Sequence, residues 1–195
     1  MNANLRMLEQ LLLIGYVNTY IFETNQPIVV LFVVLFMILV SSWIALRPLE
    51  ERGIKAFIIV VSSLAISGVG VLLLISQLIV ELPRWFEPSF VIPIAGMIFA
   101  NSMNTVSLAG ERFTTEQRRG KTYHEARKIA LETAMIPHIN ALLAGGLVSL
   151  PGMMTGQILS GIEPLTAARY QIMVMCMIFS TAGLSAVTYM SLKKS

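Results

Sequence analysis

The chain has 195 residues, of which 55% are apolar and 13% charged, about half the ~25% charge of an average globular protein. Asp is absent, all eleven acids being Glu, and a single Cys, Cys176, excludes an internal disulfide. With a mean hydropathy of +0.74, this composition excludes a soluble globular domain, a disordered chain and, despite a pI near 9.2, a nucleic-acid-binding protein.

The composition predicts an all-α polytopic membrane protein. A spanning helix needs ~20 mostly apolar residues, with a range of about 17–25. Six stretches qualify: 5–22, 27–46, 54–80, 90–109, a broken fifth from 134 to 160, and 168–192. Strands of a membrane β-barrel would alternate apolar and polar residues, which continuous runs such as 28–40 do not do. The opening lacks a small-x-small cleavage site after its apolar run, so it is read as a span and not as a removable signal. No linker, low-complexity tract or internal repeat divides residues 1–195, which predicts one membrane domain.

If six helices alternate, twelve of the 14 Lys and Arg residues fall on one side. They are Arg6; Arg47, Arg52 and Lys55; Arg112, Arg118, Arg119, Lys121, Arg127 and Lys128; and Lys193 and Lys194. Only Arg84 and Arg169 fall on the other. Basic residues stay in the cytoplasm, so this split places both termini there.

Polar groups inside lipid must be satisfied by protein or cavity water. In the fourth span, Asn101, Ser102 and Asn104 either bond to neighbouring helices or line a transport path. In the fifth, a break is expected near Pro151-Gly152, because proline removes a backbone donor and glycine weakens the helix. Small residues recur there every fourth position, as Ala141, Gly145, Ser149 and as Gly152, Gly156, Ser160, a spacing that admits a close helix neighbour. The segment is either a kinked packing helix or a broken helix whose carbonyls line a substrate site. The twelve methionines include Met153, Met154, Met173, Met175 and Met177, with Cys176 among them, and soft sulfur ligands suit soft or transition metals such as Cu(I). Residues two apart on a helix point in different directions, which favours ordinary packing.

The polar stretch 111–133 carries six basic residues and helix formers, with Tyr123, Ala126, Ile129 and Ala130 giving a modest apolar face. It is either a helix on the headgroups or a docking element for a soluble partner. Gly120-Lys121-Thr122 resembles the end of a phosphate-binding loop, but Thr115 stands where that motif needs Gly, so no nucleotide is expected on this chain. There is no His-Glu-x-x-His, no Gly-x-Ser-x-Gly and no Asp to partner His124 or His138, which argues against a hydrolase.

The run Gly146-Leu147-Val148-Ser149-Leu150-Pro151-Gly152-Met153-Met154-Thr155-Gly156, followed by Gly161, Pro164, Ala167 and Tyr170-Gln171-Ile172-Met173-Val174, resembles the signature of the FetB/YbbM-type ABC transporter permeases. Ile92-Pro93-Ile94-Ala95-Gly96-Met97-Ile98 with Asn101 and Met103, and Arg6 with Gln10-Leu11 and Gly15-Tyr16, are similar to the same family.

The resemblance implies a permease subunit whose ATP and Mg are held by a separate cytoplasmic ATPase, two copies of each forming the transporter. Bacterial relatives are linked to iron export, and plant relatives to aluminium tolerance, in one case through a sugar nucleotide. The 110–133 segment would then be the coupling element, with Gly120, Tyr123, Glu125, Ala126 and Arg127 at its centre. Path candidates are Asn101, Asn104, Ser149, Met153, Met154 and Gln171. Family members usually carry a further hydrophobic segment ahead of the Arg6 stretch; if one belongs here, the helix count and the N-terminal side change, but the orientation from the second span onward does not. An ATP-independent carrier and a non-transporting scaffold are the other classes, the first disfavoured because no ionisable residue is evident mid-membrane.

Overall fold

The computed structural model describes residues 2–23, 26–50 and 52–194, and among them it is all helical. The elements are α1 (Asn2–Glu23), α2 (Pro27–Ala45), α3 (Ile54–Leu74) continued by a π turn (Ile75–Ile79), α4 (Pro88–Arg118), α5 (Tyr123–Ala144), α6 (Gly152–Leu159) and α7 (Pro164–Lys194). Proline opens the first turn of α2 and of α4, where its fixed φ suits the helix and its missing N–H costs nothing. In the π turn the Val80 N–H reaches back to the Ile75 carbonyl at 2.9 Å, and Glu81 then turns the chain at φ 51°.

Among the described residues, four helices are long and apolar enough to cross a bilayer: α2, α3 with its π turn, α4 and α7, whose most apolar 18 residues have mean hydropathies of 2.9, 2.7, 1.4 and 1.7. The first and fifth expected spans do not reach that standard. Asn4, Glu9 and Gln10 dilute α1, and α5 begins eleven residues before the apolar stretch, in the charged segment from Tyr123. The Arg6, Tyr16 and Lys194 side chains lie outside the described residues.

The segment 111–133 is helical for most of its length. α4 continues to Arg118 and α5 starts at Tyr123, so only residues 119–122 leave the helix. At ~1.5 Å per residue, the 31 residues of α4 extend about 46 Å, well past a ~30 Å hydrocarbon layer. Its charged residues, Glu111, Arg112, Glu116 and Arg118, all lie in its last turns.

The basic ends of the helices meet. The Ser107 hydroxyl donates to the Ala45 carbonyl at 3.0 Å, joining α4 to the end of α2. Arg118 pairs with Glu50 at 2.6 Å, and the Tyr123 hydroxyl donates to the Met190 carbonyl at 2.7 Å. The Arg118–Glu50 pair is exposed and contributes little energy, but it fixes which ends are neighbours.

Two core clusters fill the bundle. At the basic end, Ala126, Ala130 and Ala134 form a fully buried stripe on α5 against Ala109, Phe113, Ala186, Tyr189 and Met190. The other cluster joins Val30, Ile38, Val71, Ile94, Ile98, Phe99, Val174 and Met177. There Gly68 admits the Phe99 ring: a Cβ on Gly68 would stand 2.5 Å from Phe99 Cε1.

Candidate functional site

The break in the fifth predicted span begins earlier than Pro151-Gly152. α5 ends at Ala144, Gly145 caps it, and Gly146 turns at φ +83°. The Gly146 N–H then bonds to the Ser149 carbonyl at 3.0 Å, and the Val148 N–H to the Ala144 carbonyl at 2.9 Å. The glycine pair stops the helix; Pro151, extended at ψ 144°, caps the start of α6. Between these helices and α7 lies a cavity of about 280 Å³ bounded by Leu142, Gly145, Gly146, Pro151 and Met154 on one side. The other wall is a single face of α7: Ala168, Gln171, Ile172, Met175 and Cys176.

Of the six path candidates, Met154 and Gln171 share this cavity. Gln171 is 8% exposed, and its Oε1 is buried with no hydrogen-bond partner. Met153 turns the other way and packs against the second core cluster, while Ser149 is exposed in the connection. The three α7 methionines diverge as their spacing predicts: Met177 is buried in the core, Met173 packs against it, and Met175 faces the cavity. Gly152 and Gly156 would meet nothing within 4 Å if they carried a Cβ, so among the described residues this small-residue edge of α6 has no helix against it.

Asn101 and Asn104 lie apart from this cavity, on α4. The Asn101 side-chain amide donates to the Met97 carbonyl at 2.8 Å, and Asn104 is exposed. Between them Ser102 is fully buried with an unpartnered hydroxyl. One turn on, the Thr105 hydroxyl lies 2.8 Å from the Asn101 carbonyl and 2.7 Å from His138 Nε2 on α5. Its single proton serves one of these acceptors; when the Asn101 carbonyl takes it, His138 donates to Oγ1. His138, next to Pro137, is thus a hydrogen-bonded structural residue, and Thr105 is the partner that the sequence did not single out.

The projecting α4–α5 tip is closely built. Gly120, at φ +81°, follows the α4 cap; its N–H bonds to the Gln117 carbonyl and the Lys121 N–H to the Glu116 carbonyl, both satisfying helix-end acceptors. Thr122 and Glu125 then form a reciprocal capping box. Hydrogen bonds from the Thr122 backbone and side chain, helped by Lys121, hold the Glu125 carboxyl below its ordinary pKa. Gly120-Lys121-Thr122 is thus a helix–helix turn preceded by a helix.

Tyr123 packs edge-on against Phe113, Ala126 is fully buried, and Arg127 is half-buried with its Nε unpartnered. Glu116, 4% exposed, receives Arg112 and Arg119 at 2.9 Å each. Among the described residues no three His, Cys, Asp or Glu side chains gather as a metal-binding group.

The profile of an uncharacterised protein family, UPF0014, matches residues 1–195. The chain belongs to that family. It is 39% identical over 197 residues to the probable iron export permease protein FetB of Escherichia coli (strain K12), covering 93% of this chain and 74% of that one. It is 33% identical to a UPF0014 membrane protein, slr1647, of Synechocystis, covering 93% and 76%. Protein ALUMINUM SENSITIVE 3 of Arabidopsis thaliana is 30% identical, covering 92% and 70%. No solved structure matches this UPF0014 chain. The resemblance to FetB-type and plant aluminium-tolerance proteins therefore stands, and the chain is a membrane protein of a family that includes a named permease.

Proposed function

We propose that the chain is the membrane-spanning subunit of an ATP-driven exporter of metal ions, iron among them, and that a separate cytoplasmic ATPase supplies both ATP hydrolysis and its Mg. The observation that carries this reading is the identity to a probable iron export permease over nine-tenths of the chain. The α4–α5 tip supports it: a capped, basic hairpin tied by Tyr123 to α7 and continuous with a spanning helix can pass a push at its tip into the bundle.

Six spans fit the geometry if α1 and α5 also cross. α5 runs back from the basic end for 22 residues, about 33 Å at ~1.5 Å each, and α7 returns to that end at Met190. The basic ends then face the cytoplasm, in a bacterial or archaeal plasma membrane, with both termini inside. A second copy of the chain covers the small-residue edge of α6, giving two permeases and two ATPases.

In operation, ATP closes the ATPase pair, the 119–122 turn moves with it, and the bundle switches between inward- and outward-open states. Export requires the ion to bind the two states differently. The test is purification in mild detergent after crosslinking from a photoreactive residue at Lys121. Recovery of a stoichiometric subunit with ATPase activity supports the proposal; an intact permease recovered without one, with crosslinking efficient, refutes it in favour of a carrier or scaffold.

A further inference from the structure

We infer that the groove between α3 and α7 at the basic end of the bundle holds one anionic phospholipid, with its phosphate between Lys55 and Lys193 and an acyl chain below them. The start of α3 and the end of α7 come together there, and one lysine from each lines a shared cavity of about 230 Å³. Lys55 and Ile59 also line a second cavity, of about 450 Å³, whose other walls are Ile54, Ile58, Ser62 and Leu192. The two shared residues make these one continuous groove, cationic at its upper end and apolar below. Among the described residues no carboxylate lines either part.

That division matches the chemistry of a lipid. Lys55 is the second residue of α3 and Lys193 the last but one of α7, the positions from which long basic side chains reach the membrane interface. Ser62 lies about 10 Å along α3 from Lys55, at ~1.5 Å per residue, so the groove runs from headgroup level into the hydrocarbon. The Lys193 ammonium is held 5.6 Å from the centre of the Phe113 ring, which positions it at the upper end. Lys55 is exposed and enters none of the ion pairs among the described residues. Basic pockets between spanning helices take anionic headgroups for this reason. A zwitterionic headgroup brings its own ammonium against the two lysines. A free phosphate would leave the apolar part, with its exposed Ile54 and Ile58, uncovered.

Binding of lipid requires neither ATP nor transport, so the inference stands or fails separately from the exporter reading. The test is made on the purified full chain in detergent. Phosphatidylglycerol or phosphatidylcholine with identical acyl chains is titrated, and bound lipid is counted by native mass spectrometry. The expected result is one phosphatidylglycerol per chain, held more tightly than phosphatidylcholine and not displaced by a large excess of inorganic phosphate.

Lys55→Gln and Lys193→Gln should each weaken phosphatidylglycerol binding about fivefold, the strength of one lysine at an anionic membrane surface, and Lys55→Arg should keep it. Ser62→Phe, which fills the apolar part and leaves both lysines in place, should weaken it as well. Lys128→Gln removes the same charge from α5, outside the groove, and should change nothing. Equal affinity for the two lipids, unchanged binding in the Lys55→Gln, Lys193→Gln double variant, or an equal loss in Lys128→Gln would each overturn the inference. Displacement by inorganic phosphate, or full binding in Ser62→Phe, would overturn it in favour of an anion site that holds no acyl chain.

Discussion

The bond between Thr105 and His138 is the most exposed commitment of the fold, because it ties the polar middle of α4 to α5 through buried groups. Thr105→Val keeps the side-chain shape and removes only the hydroxyl, leaving His138 Nε2 without its partner at 2.7 Å. An orphaned buried donor costs about 1–3 kcal/mol. Interhelical bonds in membranes, however, average only ~0.6 kcal/mol and reach ~1.7, because the unfolded chain also finds partners. Full burial of Thr105 and the short distance place this pair in the upper part of that range, at about 1–1.7 kcal/mol. The assay is a double-mutant cycle of Thr105→Val and His138→Ala, with unfolding measured by steric trapping in bicelles. A coupling energy within about 0.3 kcal/mol of zero, the scatter of independent sites, would refute the bond and the α4–α5 register built on it.

Three further outcomes follow from the same geometry. Asn101 bonds within α4 and Asn104 is exposed, both apart from the α6–α7 cavity, so Asn101→Leu with Asn104→Leu tests a path along α4: lost flux in reconstituted vesicles, with the complex still assembled, keeps both as path residues, and normal flux removes them. Gly68→Val should cost about 1–3 kcal/mol by overpacking against the Phe99 ring, seen as a lowered unfolding temperature. Glu125 has a depressed folded pKa, so its contribution is present above the ordinary carboxylate range and lost as pH falls through the folded value. The stability difference between the wild-type chain and Glu125→Gln should therefore shrink below that range, and a difference independent of pH would show that the capping carboxylate is not engaged.

Pro27 and Pro88 open helices, Gly120 ends one, and Thr122 with Glu125 caps the next; each acts within one turn, a local signal that hydropathy passes over. Hydropathy alone marks α2, α3, α4 and α7.

What the sequence left open lies where distant packing decides. The helix formers of 111–133 do fold as helix, and the partner of their apolar face is α7: Phe113, Ala126 and Ala130 bury in one cluster with Ala186, Tyr189 and Met190. The break ends at Pro151-Gly152 as expected but opens earlier, at Gly145-Gly146: the glycine pair ends α5, and Pro151 caps the start of α6. That Met154 and Gln171 share a cavity depends on which face of α6 turns to α7, which a connection with no periodic pattern does not announce. The Thr105–His138 bond joins residues 33 apart, and neither is distinctive alone.

The most direct test of the account is ATP-dependent metal efflux, measured with the permease and its copurified ATPase reconstituted in vesicles. The account predicts that an ion loaded on the tip side leaves that compartment only with ATP, that vanadate stops it, and that disrupting the capped turn with Thr122→Ala and Glu125→Ala lowers flux per ATP hydrolysed. Equal flux without ATP would contradict it.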